Sequence, residues 1–276
     1  MLLTEPIFTY LVIGLFASAL LFAALAFWLW QSSFETGTVR GESGLWLEQG
    51  IARNVVHDFG KIVENSQYRL DEFDLIELDD EARWRQLVDE VRGDVNLLAR
   101  YVIDRKLLIE LVSERNRQRR ELVVLSELCE KVAHSFEVLA RKRNARFVRD
   151  YPATTLEISA NRDHIQRVLI NLIDNAFKYA DEEAPVVSVT IHEDREDGAA
   201  LIEISDNGRG IPPESSERIW EESFKARDAR TIDLPGTGLG LAIVKQVVEQ
   251  EHHGKVSVRS QPGCTTFTVL LPKGRS

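Results

Sequence analysis

Three short segments in a fixed order constrain this chain more than anything else in it. They are Asn171 to Tyr179, reading NLIDNAFKY, then DNGRG at Asp206 to Gly210, then GTGLG at Gly236 to Gly240. On a helix Asn171 and Asn175 are four apart and share a face with Lys178, so two amides and a cation converge on whatever lies over that face. Amide oxygens suit a hard cation such as Mg2+, which keeps waters and bridges to phosphates. Asp206 ends the apolar run Leu201 to Ser205, where its carboxylate is placed to accept a hydrogen bond from an exocyclic amine, and Gly208 and Gly210 mark the loop that follows. Gly236, Thr237, Gly238, Leu239 and Gly240 run straight into the apolar helical stretch Leu241 to Val248. Their backbone N–H groups then sit at a helix N-terminus, a natural phosphate site. The assembly reads as a site for ATP and Mg2+.

Each piece alone is weak. A helix with two Asn residues is more often a solvated helix. The last loop departs from a G-x-G-x-x-G fingerprint because Gly240 falls one residue early and no strand immediately precedes it, and the Walker pattern is absent. The set in order carries the reading: N-x-x-x-N-A-F-K-Y, D-x-G-x-G, Phe224, then G-T-G-L-G-L. On these residues the chain resembles, from about Glu48 to Pro272, the histidine kinases of bacterial two-component systems. The resemblance implies adenine against Asp206, the triphosphate under the Gly236 loop, and Asn175 with Asn171 on Mg2+ or its waters. It also implies Lys178 neutralising phosphate charge and Tyr179 lining the base or ribose.

A net charge of −10, from 34 basic and 44 acidic residues, sets nucleic acid aside as a partner. Only two cysteines occur, Cys129 in an expected helix and Cys264 in an expected turn, and neither spacing suits a metal or a disulfide framework.

Ile7 to Trp30 carries no charged residue and as a helix would span about 36 Å, enough to cross a bilayer with some tilt. A cleaved leader is the competing reading, since Ala24-Leu25-Ala26 looks like a processing site. Against it, a basic n-region is missing and the apolar run continues through Trp28 and Trp30. Lys and Arg begin only at Arg40, so the positive-inside rule puts the following portion in the cytoplasm, giving a single-pass protein of the inner (cytoplasmic) membrane. With six residues before this segment, input is expected through the one helix, a membrane sensor partner or the cytoplasmic body.

From Leu45 the pattern turns helical, with Leu47, Ile51, Val55, Phe59 and Ile62, then Trp84, Val88, Val91, Val95, Leu98 and Val102 after the acidic turn at Asp79 and Asp80. A helical hairpin buries little by itself, whereas two copies packed as a four-helix bundle bury both stripes, so a homodimer is expected. The organisation read is 1–30 membrane helix, 31–44 linker, 45–112 hairpin, 113–125 hinge and 126–276 ATP-binding domain. The fold class is α plus α/β. Within the last domain, strands are expected at Val186 to Ile191, Leu201 to Ser205, Lys255 to Ser260 and Thr265 to Leu271. Helices are expected at Asn161 to Ala180 and Leu239 to Gln250, making a two-layer sandwich, with a lid between Ile211 and Pro235.

His57, in VVHDFGKIV, lies on the first hairpin helix. A lone helical His usually has no special task. The resemblance assigns it as phosphoacceptor, with Asp58 holding or accepting the imidazole proton and a response regulator receiver domain as the next acceptor. The family's Arg-Thr-Pro-Leu is here Gly60, Lys61, Ile62 and Val63. Lys61 has three donors and no acceptor, so it cannot orient water as Thr or Asn does, which points to weak phosphatase activity. His134, His164, His252 and His253 read as structural or solvated. Two other readings stand beside this one: an ATP-binding interaction protein with an inactive phosphoacceptor, and a serine kinase of the anti-sigma type.

Overall fold

The structure, a computed structural model, describes residues 80–112, 120–152, 155–194, 198–222, 224 and 236–273. The expected membrane segment, the first hairpin helix, His57, Asp58 and Lys61 lie outside them. Among the described residues no helix is long and apolar enough to cross a membrane. The chain divides into two compact units, Met1–Ile103 and Asp104–Ser276.

Helix α1 spans Glu81–Val112. Asp80, from the expected acidic turn, begins it: its Oδ1 accepts the Arg83 N–H at 2.9 Å, satisfying one of the free N–H groups of the first turn. The helix's last residues, from Asp104 onward, belong to the second unit.

In that unit a short antiparallel pair, β1 (Glu121–Val124) and β3 (Glu157–Ala160), stands apart from a five-stranded sheet. The sheet is built from β2 (Arg146–Asp150), β4 (Val186–Glu193), β5 (Ala200–Asp206), β6 (Lys255–Gln261) and β7 (Cys264–Leu271), in the order β2-β4-β5-β7-β6. Only β2 with β4 is parallel. Val187, Val189 and Ile191 on β4, Ile202 and Ile204 on β5, and Phe267, Val269 and Leu271 on β7 are buried, and their period of two marks one covered face. Helix α2 (Leu125–Ser135), the short α3 (Glu137–Lys142), α4 (Arg162–Tyr179) and α5 (Gly240–Lys245) supply the second layer. The expected two-layer sandwich is what forms.

Helix α4 is the core's main beam. Ile165, Val168, Leu169, Leu172, Ile173, Ala176 and Phe177 recur at three- and four-residue spacing and are all buried, each large side chain contributing about 1.5–3 kcal/mol. Asn161 caps it, its Oδ1 accepting the N–H groups of Asp163 at 3.2 Å and His164 at 3.3 Å.

Several elements differ from the sequence reading. Residues 121–125, read as hinge, supply β1 and the first residue of α2, because Glu121 to Val124 pair with Ala160 to Glu157. Strands β1 and β3 are four residues each, too short to show a period. Strand β2 begins and ends on exposed charged residues at the sheet edge, so no alternation marked it. The segment after Ser126 breaks at Phe136 into two helices, and Cys264 opens β7 rather than ending a turn. The last helix gives way to a wide π turn, Gln246–Glu251, where the His252 N–H reaches back five residues to the Val247 carbonyl at 3.1 Å.

Candidate functional site

Asp206 is the last residue of β5 and is 7% exposed. Its Oδ1 accepts the Gly208 N–H at 2.9 Å, which aims the carboxylate at the pocket and leaves acceptor capacity. Burial pushes its pKa up to about 6, while the Gly208 N–H pulls the other way. The DNGRG loop is wedged tightly. A Cβ on Gly208 would lie 1.8 Å from the Tyr179 carbonyl oxygen, and Gly210 has φ +84° with Gln261 backbone against it. Asn207 holds the neighbouring turn: its Oδ1 accepts the Val186 N–H at 2.8 Å and its Nδ2 donates to the Ala184 carbonyl at 2.8 Å.

Between this loop and α4 opens a mainly apolar cavity of about 370 Å³. Of the residues singled out from sequence, Asn175, Tyr179, Asp206, Gly210 and Phe224 line it. Ile211, Ile219, Leu241, Thr265 and Phe267 also form its walls, and sequence reasoning missed them. They come from separate elements, and no local pattern joins them. One buried carboxylate among apolar walls suits a flat heteroaromatic base with an exocyclic amine. Arg209 also lines the cavity. Its guanidinium lies 5.5 Å from the Tyr179 ring centre and Lys178 Nζ lies 5.1 Å from it, so two cations flank one phenol. Burial raises the Tyr179 pKa, so the phenol stays neutral.

The glycine loop meets the same helix. A Cβ on Gly236 would come within 2.8 Å of Lys178 Nζ, and Asn171 Nδ2 donates to the Gly240 carbonyl at 3.2 Å. Gly238 has φ +69°, and Thr237 Oγ1 accepts the Leu239 N–H at 3.3 Å. Asn171 is fully buried and does not line the cavity, so the two asparagines divide: Asn175 faces the pocket and Asn171 ties α4 to the start of α5. Among the described residues no cluster of three His, Cys, Asp or Glu side chains could hold a metal. An amide donor set fits Mg2+ only as a partial shell shared with phosphate and water, with Asn175 the accessible member.

The histidines read as structural take up internal positions or the surface. His164 Nδ1 donates to Glu251 at 2.9 and 2.7 Å. His252 Nδ1 donates to the Val247 carbonyl at 2.8 Å, and its Nε2 accepts the Asn161 N–H at 3.1 Å, which defines a neutral ring. The two free cysteines are Cys129, buried with its pKa raised to about 12, and Cys264, exposed.

A two-layer α/β domain with this cavity and this glycine loop defines a nucleotide-binding module. Residues 160–275 match the family described as histidine kinase-, DNA gyrase B-, and HSP90-like ATPase, which is an ATP-binding domain. The crystallised catalytic domain of histidine kinase ThkA is 30% identical, covering 56% of this chain and 97% of that one, with a TM-score of 0.50. The sensory histidine kinase/phosphatase NtrB of Vibrio alginolyticus is 35% identical over 157 residues, 54% of this chain and 43% of that protein. ThkA in complex with its response regulator protein TrrA shares the fold, at 24% identity and a TM-score of 0.58 over 85% of this chain and 62% of that one. The chain belongs to the sensor histidine kinases. It spans 29% to 57% of the length of the first curated relatives it matches.

Proposed function

We propose that this protein is a membrane-anchored, homodimeric histidine kinase that phosphorylates His57 from Mg-ATP and passes the phosphoryl group to an aspartate of a response regulator receiver domain. The observation that carries the reading is the buried Asp206 carboxylate in an apolar cavity beside Lys178 and the Gly236 loop. Adenine donates its amine proton to Asp206 and stacks among Ile211, Leu241 and Phe267, while Lys178 and the loop N–H groups take the triphosphate. Asn175 would hold Mg2+, which supplies charge neutralisation at the phosphates when bound, while Asn171 keeps α4 against the start of α5. A ring nitrogen of His57 attacks the γ-phosphorus, the bond to the β-phosphate oxygen breaks, ADP leaves with the electron pair, and the imidazole proton passes to Asp58.

Supporting the anchor are the uncharged run Ile7 to Trp30 and the basic residues that begin at Arg40. The apolar stripes of the hairpin support the dimer, and the ThkA complex supports a receiver domain as partner. The test is incubation with γ-labelled ATP and Mg2+, beside His57→Ala. Acid-labile label lost in the variant is the expected result; label retained in His57→Ala, or absent from both despite ATP binding, rejects the assignment. Lys61 predicts weak phosphatase activity: Lys61→Thr should speed dephosphorylation of the cognate phospho-regulator in a release assay.

A further inference from the structure

Near the end of α1 a carboxylate is sealed from solvent: Asp104 is 0% exposed. Its Oδ1 accepts Arg167 Nε at 2.9 Å and also Arg167 Nη2, and its Oδ2 accepts the Thr237 hydroxyl at 3.1 Å. Arg167 lies on α4 one turn before Asn171, and Thr237 is the second residue of the glycine loop. The Thr237 oxygen in turn accepts the Leu239 N–H at 3.3 Å, so a chain of hydrogen bonds runs from α1 through a side chain into the loop backbone. The next residue, Arg105, is 4% exposed and donates to Glu222 Oε2 at 2.7 Å. Adjacent helical residues point about 100° apart, which lets the pair reach two segments at once. Glu222 is thus tied to Arg105 and Thr237 to Asp104, two adjacent residues of α1.

We infer that Asp104 is a positioning residue for the nucleotide loop. With Arg167 as its counter-ion, it fixes Thr237 and through it the backbone that receives the triphosphate. A buried ion pair is kept only where further hydrogen bonds satisfy it, and Thr237 supplies one of them. A loop held before its ligand arrives loses less freedom on binding, so the gain falls on the phosphates and not on the base. Loop order thereby depends on where the last turns of α1 sit. The inference rests on the ATP-site reading above.

The test is calorimetric titration of the full chain with ATP and, separately, with adenosine. Asp104→Asn should raise the Kd for ATP about tenfold while the Kd for adenosine stays unchanged. Thr237→Val keeps the side-chain shape and leaves the Asp104–Arg167 pair intact, so it carries the test should Asp104→Asn fail to fold. It should raise the ATP Kd to a similar extent, and adding it to Asp104→Asn should cost nothing more. Unchanged or tighter ATP binding in either variant, equal losses for ATP and adenosine, or effects that multiply in the double variant would overturn the inference. A wild-type chain that binds neither ligand would overturn the nucleotide-site reading itself.

Discussion

Asp206 is a buried carboxylate lining the cavity, and its raised pKa gives two linked consequences. The ionised carboxylate is the better acceptor for an exocyclic amine, so ATP affinity should fall as pH drops through about 6, by roughly tenfold between pH 7.5 and 5. Asp206→Asn should bind ATP weakly with a flattened pH profile, checked by fluorescence titration across that range. Stability runs the other way. A carboxyl whose folded pKa lies above its unfolded value of 3.8 favours folding below that value and loses this contribution as pH rises through about 6. At pH 7 the variant should therefore melt higher than the wild type, by up to about 3 kcal/mol in unfolding free energy. The residue is held in an environment that disfavours its charge, and in the proposed site that charge is what the adenine amine would meet.

At the scale of elements, α4 organises the domain from both ends. Its N-terminus depends on one amide: Asn161→Ala should cost about 1 kcal/mol, read as a lower melting temperature with little change in ATP affinity. Its C-terminus is backbone packed on backbone. Gly208→Ala would drive a methyl into the Tyr179 carbonyl, which has no flexible atoms to yield, so both the loop and the helix end must move. We expect about 1–3 kcal/mol of destabilisation and loss of nucleotide binding, seen together in a melt run with and without ATP. The contrast between these two substitutions separates holding the helix from shaping the pocket.

For the whole molecule, acid sensitivity follows from how the second unit closes. The wide turn at Gln246–Glu251 brings His252 inside, where its ring joins the Val247 carbonyl to the N–H that opens α4. Burial lowers its pKa, so its neutral form is the one the fold holds. A histidine with a depressed folded pKa contributes stability present above its unfolded value of 6.5 and lost as pH falls through the folded pKa. Melting temperature should thus decline below about pH 6.5, and His252→Gln should show a shallower decline from a lower starting point. Asp206 acts in the opposite sense over part of the same range, so the two variants bend the pH–stability curve in opposite directions.

Much of this was legible in the linear chain because the signals are local. The i, i+4 asparagines, the aspartate ending an apolar strand, and the glycines leading into a helix each act over a few residues, as does the period of two in β4, β5 and β7. Hence the sandwich, and polar residues that the structure brings to the cavity, could be placed before any coordinates. Packing alone sets the contacts between residues far apart in the chain. Asp104 meets Arg167 across 63 positions and Thr237 across 133, and His252 meets Asn161 across 91. The separate roles of Asn171 and Asn175 depend on which side of α4 faces Gly240 and which faces the cavity. A buried charge or ring nitrogen acquires its role from the partner that packing brings to it, and sequence spacing carries no record of that partner.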